Sequence, residues 1–191
     1  MRGRITVLPE FYLIMAAGVL LLPFKWLAAW IMAAFFHELC HYIALRSFGG
    51  RVFSIKIGMN GAVMVTDREE GKALFFSALA GPAGGLLLML LLRVAPRVAL
   101  CGLLQSAYNL LPVGALDGGR ALSSVLRAIM PEQRATAVLR TVETVILSIV
   151  LIAGVYGTII LRLGILPATA ALTLIFRCKK IPCKEAALRV Q

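Results

Sequence analysis

The sequence predicts an all-α polytopic membrane protein, with about six transmembrane helices and one small β-hairpin between the second and third. Three observations lead there. Apolar residues make up 60% of the 191, and the mean hydropathy is +0.90; a soluble domain is typically about 45–50% apolar. The apolar residues fall in long runs bounded by charge, proline or tryptophan. One stretch, 47–71, is different in kind and alternates apolar with polar residues, as a strand does.

Taken in order, the first apolar run covers about Val7 to Leu22, short for a span of about 20 residues. Arg2 and Arg4 before it resemble the start of a signal peptide, but no small-residue cleavage site follows in a polar context, so a retained first helix is expected. Pro23 ends the run, and Lys25 and Trp26 mark an interface. The second run extends from Phe24 to Leu45. After the Gly49-Gly50 turn, Arg51 to Ile57 reads as one strand, Met59-Asn60-Gly61 as a hairpin turn and Ala62 to Thr66 as a second strand. Asp67 to Glu70 is a charged exit.

The third run, Lys72 to Leu92, contains Ala80-Gly81-Pro82-Ala83-Gly84-Gly85. Small residues allow close helix approach, and Pro82 introduces a kink. A fourth run goes from about Val98 to Leu111, where Pro112 and the glycines after it break the helix. Irregular backbone at membrane depth is tolerated only inside protein or along a wet cavity. The segment Arg120 to Arg140 is basic and amphipathic, broken at Pro131, and is expected along the surface. A fifth run covers Val142 to Leu161 and a short sixth Leu163 to Phe176, before a basic tail. The whole is expected to be one membrane-embedded domain, 1–191, with a core at about 24–120 and C-terminal helices and tail at about 121–191.

The net charge is +11. With six alternating spans and the N-terminus inside, most of the 20 Lys and Arg residues lie on one side, the cytoplasmic one by the positive-inside rule. Anionic lipid accounts for such a charge, and no folded basic domain exists to bind nucleic acid. Of the four cysteines, Cys40 and Cys101 lie in apolar runs, and Cys178 and Cys183 flank Lys-Lys-Ile-Pro without forming a zinc-ribbon pattern.

The chemistry concentrates in the second run, at His37-Glu38-Leu39-Cys40-His41. Helical positions i and i+4 share a face, with Cβ atoms about 5–6 Å apart. Two imidazoles so placed can share one metal ion, and Glu38, next to the first of them, can reach a water on that ion. This is the pattern of a zinc hydrolase, with one zinc per chain. The chain has two histidines and both are here. Polar residues in a membrane helix are costly, at about 2.5–3.5 kcal/mol for a charge at mid-bilayer. Two histidines merely bonded to neighbouring helices would leave Glu38 unexplained.

A catalytic zinc takes three protein ligands and an open position. The chain has nine carboxylates. Glu10, Asp67, Glu69, Glu70, Glu132 and Glu185 fall in loops, surface segments or near the ends, and Glu38 is the presumptive base. Asp117 and Glu143 remain. Asp117 follows the broken helix on the same side as His41, with Gly118-Gly119 giving the backbone freedom to present it. Glu143 stands near the start of a helix, where its charge suits the dipole. Asp117 is the stronger choice and Glu143 the alternative.

These residues together resemble the site-2 proteases. The pairing of His37-Glu38-Leu39-Cys40-His41 with Asn109-Leu110-Leu111-Pro112 and Leu116-Asp117-Gly118-Gly119-Arg120 is similar to the compact bacterial branch of stage IV sporulation protein FB, over about Pro9 to Arg134. The resemblance implies a membrane-embedded zinc endopeptidase that cuts a membrane-associated protein near the cytoplasmic face, with His37, His41 and Asp117 as ligands and Glu38 as base. It implies that Asn109 helps hold substrate or oxyanion and that Pro112 and Gly118 shape the site. An extended substrate would pair with the sheet between Arg51 and Thr66, at Val52, Ile55, Val63 and Val65. The implied partners are a membrane protein substrate, such as a pro-sigma or anti-sigma factor, the lipid bilayer and a regulatory membrane protein. Gly85 departs from the polar residue many relatives carry there, and no PDZ or CBS module lies within these residues. The rival expectation is a metal transporter or a non-catalytic adaptor; a transport path calls for polar residues at several depths, whereas here they converge on one place.

Overall fold

A computed structural model describes residues 4–58, 61–67, 71–159, 172–175 and 178. The chain divides into two units, Met1–Leu110 and Leu111–Gln191.

The first unit opens on a strand, β1 (Arg4–Val7), and the helix α1 (Pro9–Leu21) follows at once. Pro9 sits at the first helical position, where its missing N–H costs no hydrogen bond. Helix α2 (Phe24–Ser47) has 24 residues, about 36 Å at 1.5 Å each. Strands β2 (Val52–Gly58) and β3 (Gly61–Thr66) form the expected antiparallel pair. The hairpin is in fact part of a three-stranded sheet of order β1-β2-β3, because β1 runs parallel to β2 with Ile5 opposite Ile55. The residues Arg4-Ile5-Thr6-Val7 are β-branched and alternating, which suits a strand. The first apolar run therefore starts as sheet, and its helix is only 13 residues long.

Since β2 is the central strand, Ile55 has a neighbour on each side. This corrects the expectation of an open edge for Ile55; Val52 pairs with Thr66 alone among the described residues, and the outer antiparallel strand is β3. Asp67, just past β3, accepts the Arg51 N–H at 2.7 Å through Oδ1 and ties the far end of the hairpin.

Helix α3 (Gly71–Leu87) continues through a tighter turn at Leu88–Leu91, and α4 (Pro96–Asn109) returns beside it. Both pack on α2. The glycines of α3 make this possible. A Cβ on Gly84 would collide with Cys40 Sγ, and one on Gly85 would lie 2.8 Å from the Gly102 carbonyl oxygen. Two buried polar side chains of α4 bind the bundle. Gln105 donates to the Trp30 carbonyl of α2 at 3.1 Å. The Ser106 hydroxyl, fully buried, lies 2.8 Å from both the Pro82 carbonyl of α3 and the Gly102 carbonyl. On the other side, large apolar residues such as Phe24, Phe35 and Leu20 are exposed. Such surface is unfavourable in water and suited to lipid.

The second unit begins with the irregular segment 111–116, then α5 (Asp117–Ile129) and α6 (Glu132–Ile159). The two helices pack through Leu126, Ala135 and Leu139, with Leu122 and Met130 alongside. The surface segment expected to continue to Arg140 ends at Pro131, and the fifth apolar run is the latter part of a 28-residue helix.

Three helices are long and apolar enough to cross a membrane: α2, α3 with its terminal turn (21 residues), and α6. Helices α1 and α4, at 13 and 14 residues, reach about 20 Å, short of a bilayer core of about 30 Å. The six expected spans are thus three by this measure among the described residues. The sixth run, Leu163 to Phe176, lies outside them except for a helical piece at 172–175.

If Ser106 fastens α4 to α3, Ser106→Ala should lower the unfolding free energy in detergent by about 1 kcal/mol. Gly85→Val should lower it further, since its side chain meets Gly102 backbone. Thermal unfolding followed by circular dichroism reads both.

Candidate metal centre

Helix α2 carries His37, Glu38 and His41 in its C-terminal half, with the two histidines one turn apart. His37 is 5% exposed, and its Nε2 lies 3.1 Å from Nε2 of His41, one turn on. The rings meet edge to face, 79° apart, with centroids 4.7 Å apart. His41 Nδ1 lies 2.6 Å from the Ser77 carbonyl oxygen of α3. A carbonyl only accepts, so Nδ1 carries the proton and donates, and Nε2 keeps its lone pair. This is the arrangement metal-bound imidazoles adopt, with the second nitrogen fixed by a carbonyl.

The pair fits a tetrahedral ion. Bonds of about 2.0–2.1 Å at a tetrahedral angle place two nitrogens about 3.3 Å apart, close to the 3.1 Å observed. The approach of α3 encloses them. A Cβ on Gly81 would strike His41 Nε2 and come within 2.7 Å of His37 Nε2. Main chain thus lies where any other residue would put a side chain, and Gly81 is required by space alone.

Glu38 takes a direction of its own. Its Oε1 accepts the Ala62 N–H at 3.3 Å, at the start of β3. Helix α2 is thereby linked to the sheet at the residue between the two histidines. Cys40 packs against Gly84, about one turn along α3 from Gly81.

In the second unit, Asp117 is the first residue of α5. Its position is set by packing rather than by loose backbone. Val113 is fully buried and Leu116 is 2% exposed. A Cβ on Gly119 would strike the Val113 carbonyl and lie 2.7 Å from the Gly114 nitrogen, so the first turn of α5 closes directly on the segment before it. Gly119 is needed for that contact. Gly118 and Pro112 are half-buried, on α5 and in the irregular segment, while in the first unit Asn109 is the half-buried last residue of α4. The alternative, Glu143, lies well inside α6 rather than near a helix start, so the dipole account fails. Its Oε2 would be 3.5 Å from a Cβ on Gly114, ordinary contact with the irregular segment of the same unit.

Sequence reasoning missed the Ser77 carbonyl and the Ala62 N–H, both main-chain groups that leave no mark in a sequence. It did mark the Gly81 segment as one of close helix approach with a kink at Pro82.

Gly81→Ala should push both imidazoles aside. Divalent metal affinity is expected to fall about 10–100-fold, the range for disturbed supporting contacts. Calorimetric titration gives the affinity, and circular dichroism should show the helices retained.

No family model matches the chain, and no curated protein matches it. Among solved structures it is similar to a site-2 protease from Methanocaldococcus jannaschii, with a TM-score of 0.67 over 94% of this chain and 91% of that one, at 19% identity. The fold of this chain is the site-2 protease fold.

Proposed function

We propose that the chain is a zinc-dependent intramembrane endopeptidase of the site-2 protease type, formed as one catalytic domain over residues 1–191. The observation that carries this is the His37–His41 pair with converging Nε2 atoms on a membrane-length helix, Glu38 between them, within the fold of a known protease.

His37, His41 and Asp117 are donors of the types that hold a divalent ion together, and they are the ligands in this reading. A zinc ion held there would supply Lewis acidity, lowering the pKa of a water to about 7 and polarising a carbonyl. Glu38 would serve as the general base for the attacking water and would return the proton to the leaving nitrogen. Asn109 steadies the substrate carbonyl, and Pro112 and Gly118 shape the approach. A helical substrate must unwind before its peptide bond is accessible, and an added strand is the natural form for it to take. In this reading the pairing strand is β3, the outer antiparallel strand, where Val63 and Val65 flank the outward-turned positions; Ile55 on β2, with a strand on each side, contributes its side chain only.

The lysine and arginine distribution supports a multi-pass protein of the cell membrane with its site toward the cytoplasm. The substrate is a membrane-associated protein. A pro-sigma or anti-sigma factor under the control of a second membrane protein fits the sporulation resemblance.

The test has two arms. Elemental analysis of detergent-purified protein should find about one zinc per chain in the wild type and in Glu38→Gln, with clear loss in Asp117→Asn. Mass spectrometry of membranes expressing the wild type should find new peptide termini within or beside transmembrane segments. Glu38→Gln should reduce these about 10²–10⁴-fold, as loss of a general base does. Equal cleavage in Glu38→Gln would refute the protease reading, and full zinc retention in Asp117→Asn would move the third ligand to Glu143.

A further inference from the structure

We infer that the Ala62 main-chain N–H is the positioning group for the Glu38 carboxylate, and that Gly61 is a glycine so that the carboxylate can reach it. The inference rests on the reading of Glu38 as base and adds to it a part of the protein outside the helical motif.

A glutamate has three side-chain torsions, and a fixed donor on a neighbouring element limits the directions its end can take. Here the end is held. Glu38 Oε1 accepts the Ala62 N–H at 3.3 Å. The adjacent Gly61 has φ +91°, a region that side-chain-bearing residues rarely adopt, and a Cβ there would lie 3.1 Å from the same oxygen. Conformation and space therefore both call for glycine at the place where strand meets carboxylate. A hydrogen bond to a charged acceptor is stronger than one to a neutral acceptor and can select one orientation among several.

The sheet geometry explains why Ala62 can do this. Gly58 pairs with Gly61 and Ile57 with Ala62 across the hairpin. Along an antiparallel strand, successive residues turn their main-chain groups toward the partner and away from it. Ala62 turns its N–H away from β2, toward Glu38. By the same alternation Val63 faces β2, and Met64 shares the outward orientation of Ala62. The outer edge of β3 thus has two uses. Its first outward N–H holds the base. The next outward groups, at Met64, about 6.6 Å further along at 3.3 Å per residue, are those an extended substrate would meet. Pairing then starts at Met64, two residues from the N–H that aims Glu38, and substrate register is set relative to the base by one rigid strand.

Proline removes an N–H and is tolerated on an edge strand where that N–H points outward, so it can be placed at either position while β2–β3 pairing is kept. With fluorescein-labelled casein as an unfolded probe, Ala62→Pro should lower kcat about tenfold or more with KM little changed. Met64→Pro should raise KM with kcat little changed. A purely structural role for either position would lower kcat, raise KM and reduce thermal stability together in both variants, and would overturn the inference.

The second measurement needs neither substrate nor metal. Amide hydrogen exchange by NMR on the whole chain in detergent should show Ala62 exchanging about tenfold faster in Glu38→Ala, with Met64 unchanged. Equal response of the two amides would overturn the positioning role even if the enzyme cuts. Conversely, a wild type that neither binds zinc nor cleaves would remove the protease reading, and the exchange comparison would still decide the contact.

Discussion

The first unit depends on how closely α3 approaches α2 at Gly81. Two imidazoles on an apolar helix are costly unless their polar atoms are occupied, and lipid offers no water to occupy them. The approach supplies the Ser77 carbonyl to His41 and covers the Nε2 atoms with main chain. It is possible only without a side chain at 81. The same helix repeats the device at Gly84 against Cys40 and at Gly85 against Gly102. A segment that reads as a kink is therefore a face of main chain pressed against two helices. Pro82 lies within it, and its carbonyl lies 2.8 Å from the Ser106 hydroxyl.

The sheet is joined to this bundle by chemistry as well as by connection. β1 precedes α1, and β2 and β3 follow α2, so parallel pairing of β1 with β2 ties the start of the chain to the far end of α2. The Leu8 N–H continues the ladder to the Ile57 carbonyl at 2.8 Å. Glu38 then links α2 to β3. A helix in lipid and a sheet built from polar and β-branched residues are held in register by main-chain bonds at both ends.

The legible parts of the sequence were those with a local period. The i, i+4 histidines defined the site because a helix converts spacing into proximity, and Arg51 to Thr66 alternated as strands do. Contacts at long range were silent. β1 is four residues long, and its partner lies about fifty positions on, so nothing local distinguished it from the apolar run behind it. The span count failed for a related reason. Apolar runs report composition, whereas crossing a bilayer depends on unbroken helix length; Pro23 and Pro112 bound helices α1 and α4 below that length, and Pro131 moved the start of α6 back to Glu132. Glu143 was misread in consequence, because its place in a helix depended on that start.

The least legible feature is also the most consistent one. Four buried or half-buried polar side chains of the first unit have main-chain partners: His41 the Ser77 carbonyl, Glu38 the Ala62 N–H, Gln105 the Trp30 carbonyl, and Ser106 the Pro82 and Gly102 carbonyls. Main-chain partners suit such a place. They do not titrate, they add no charge to be desolvated, and rigid helix and strand fix their positions. A motif search sees the side chain and never its partner. The glycines are the visible trace of this arrangement, since main chain reaches a buried side chain only where no Cβ intervenes. Gly81 beside the histidines and Gly61 beside the carboxylate are the two positions where the absence of a side chain gives the site its shape.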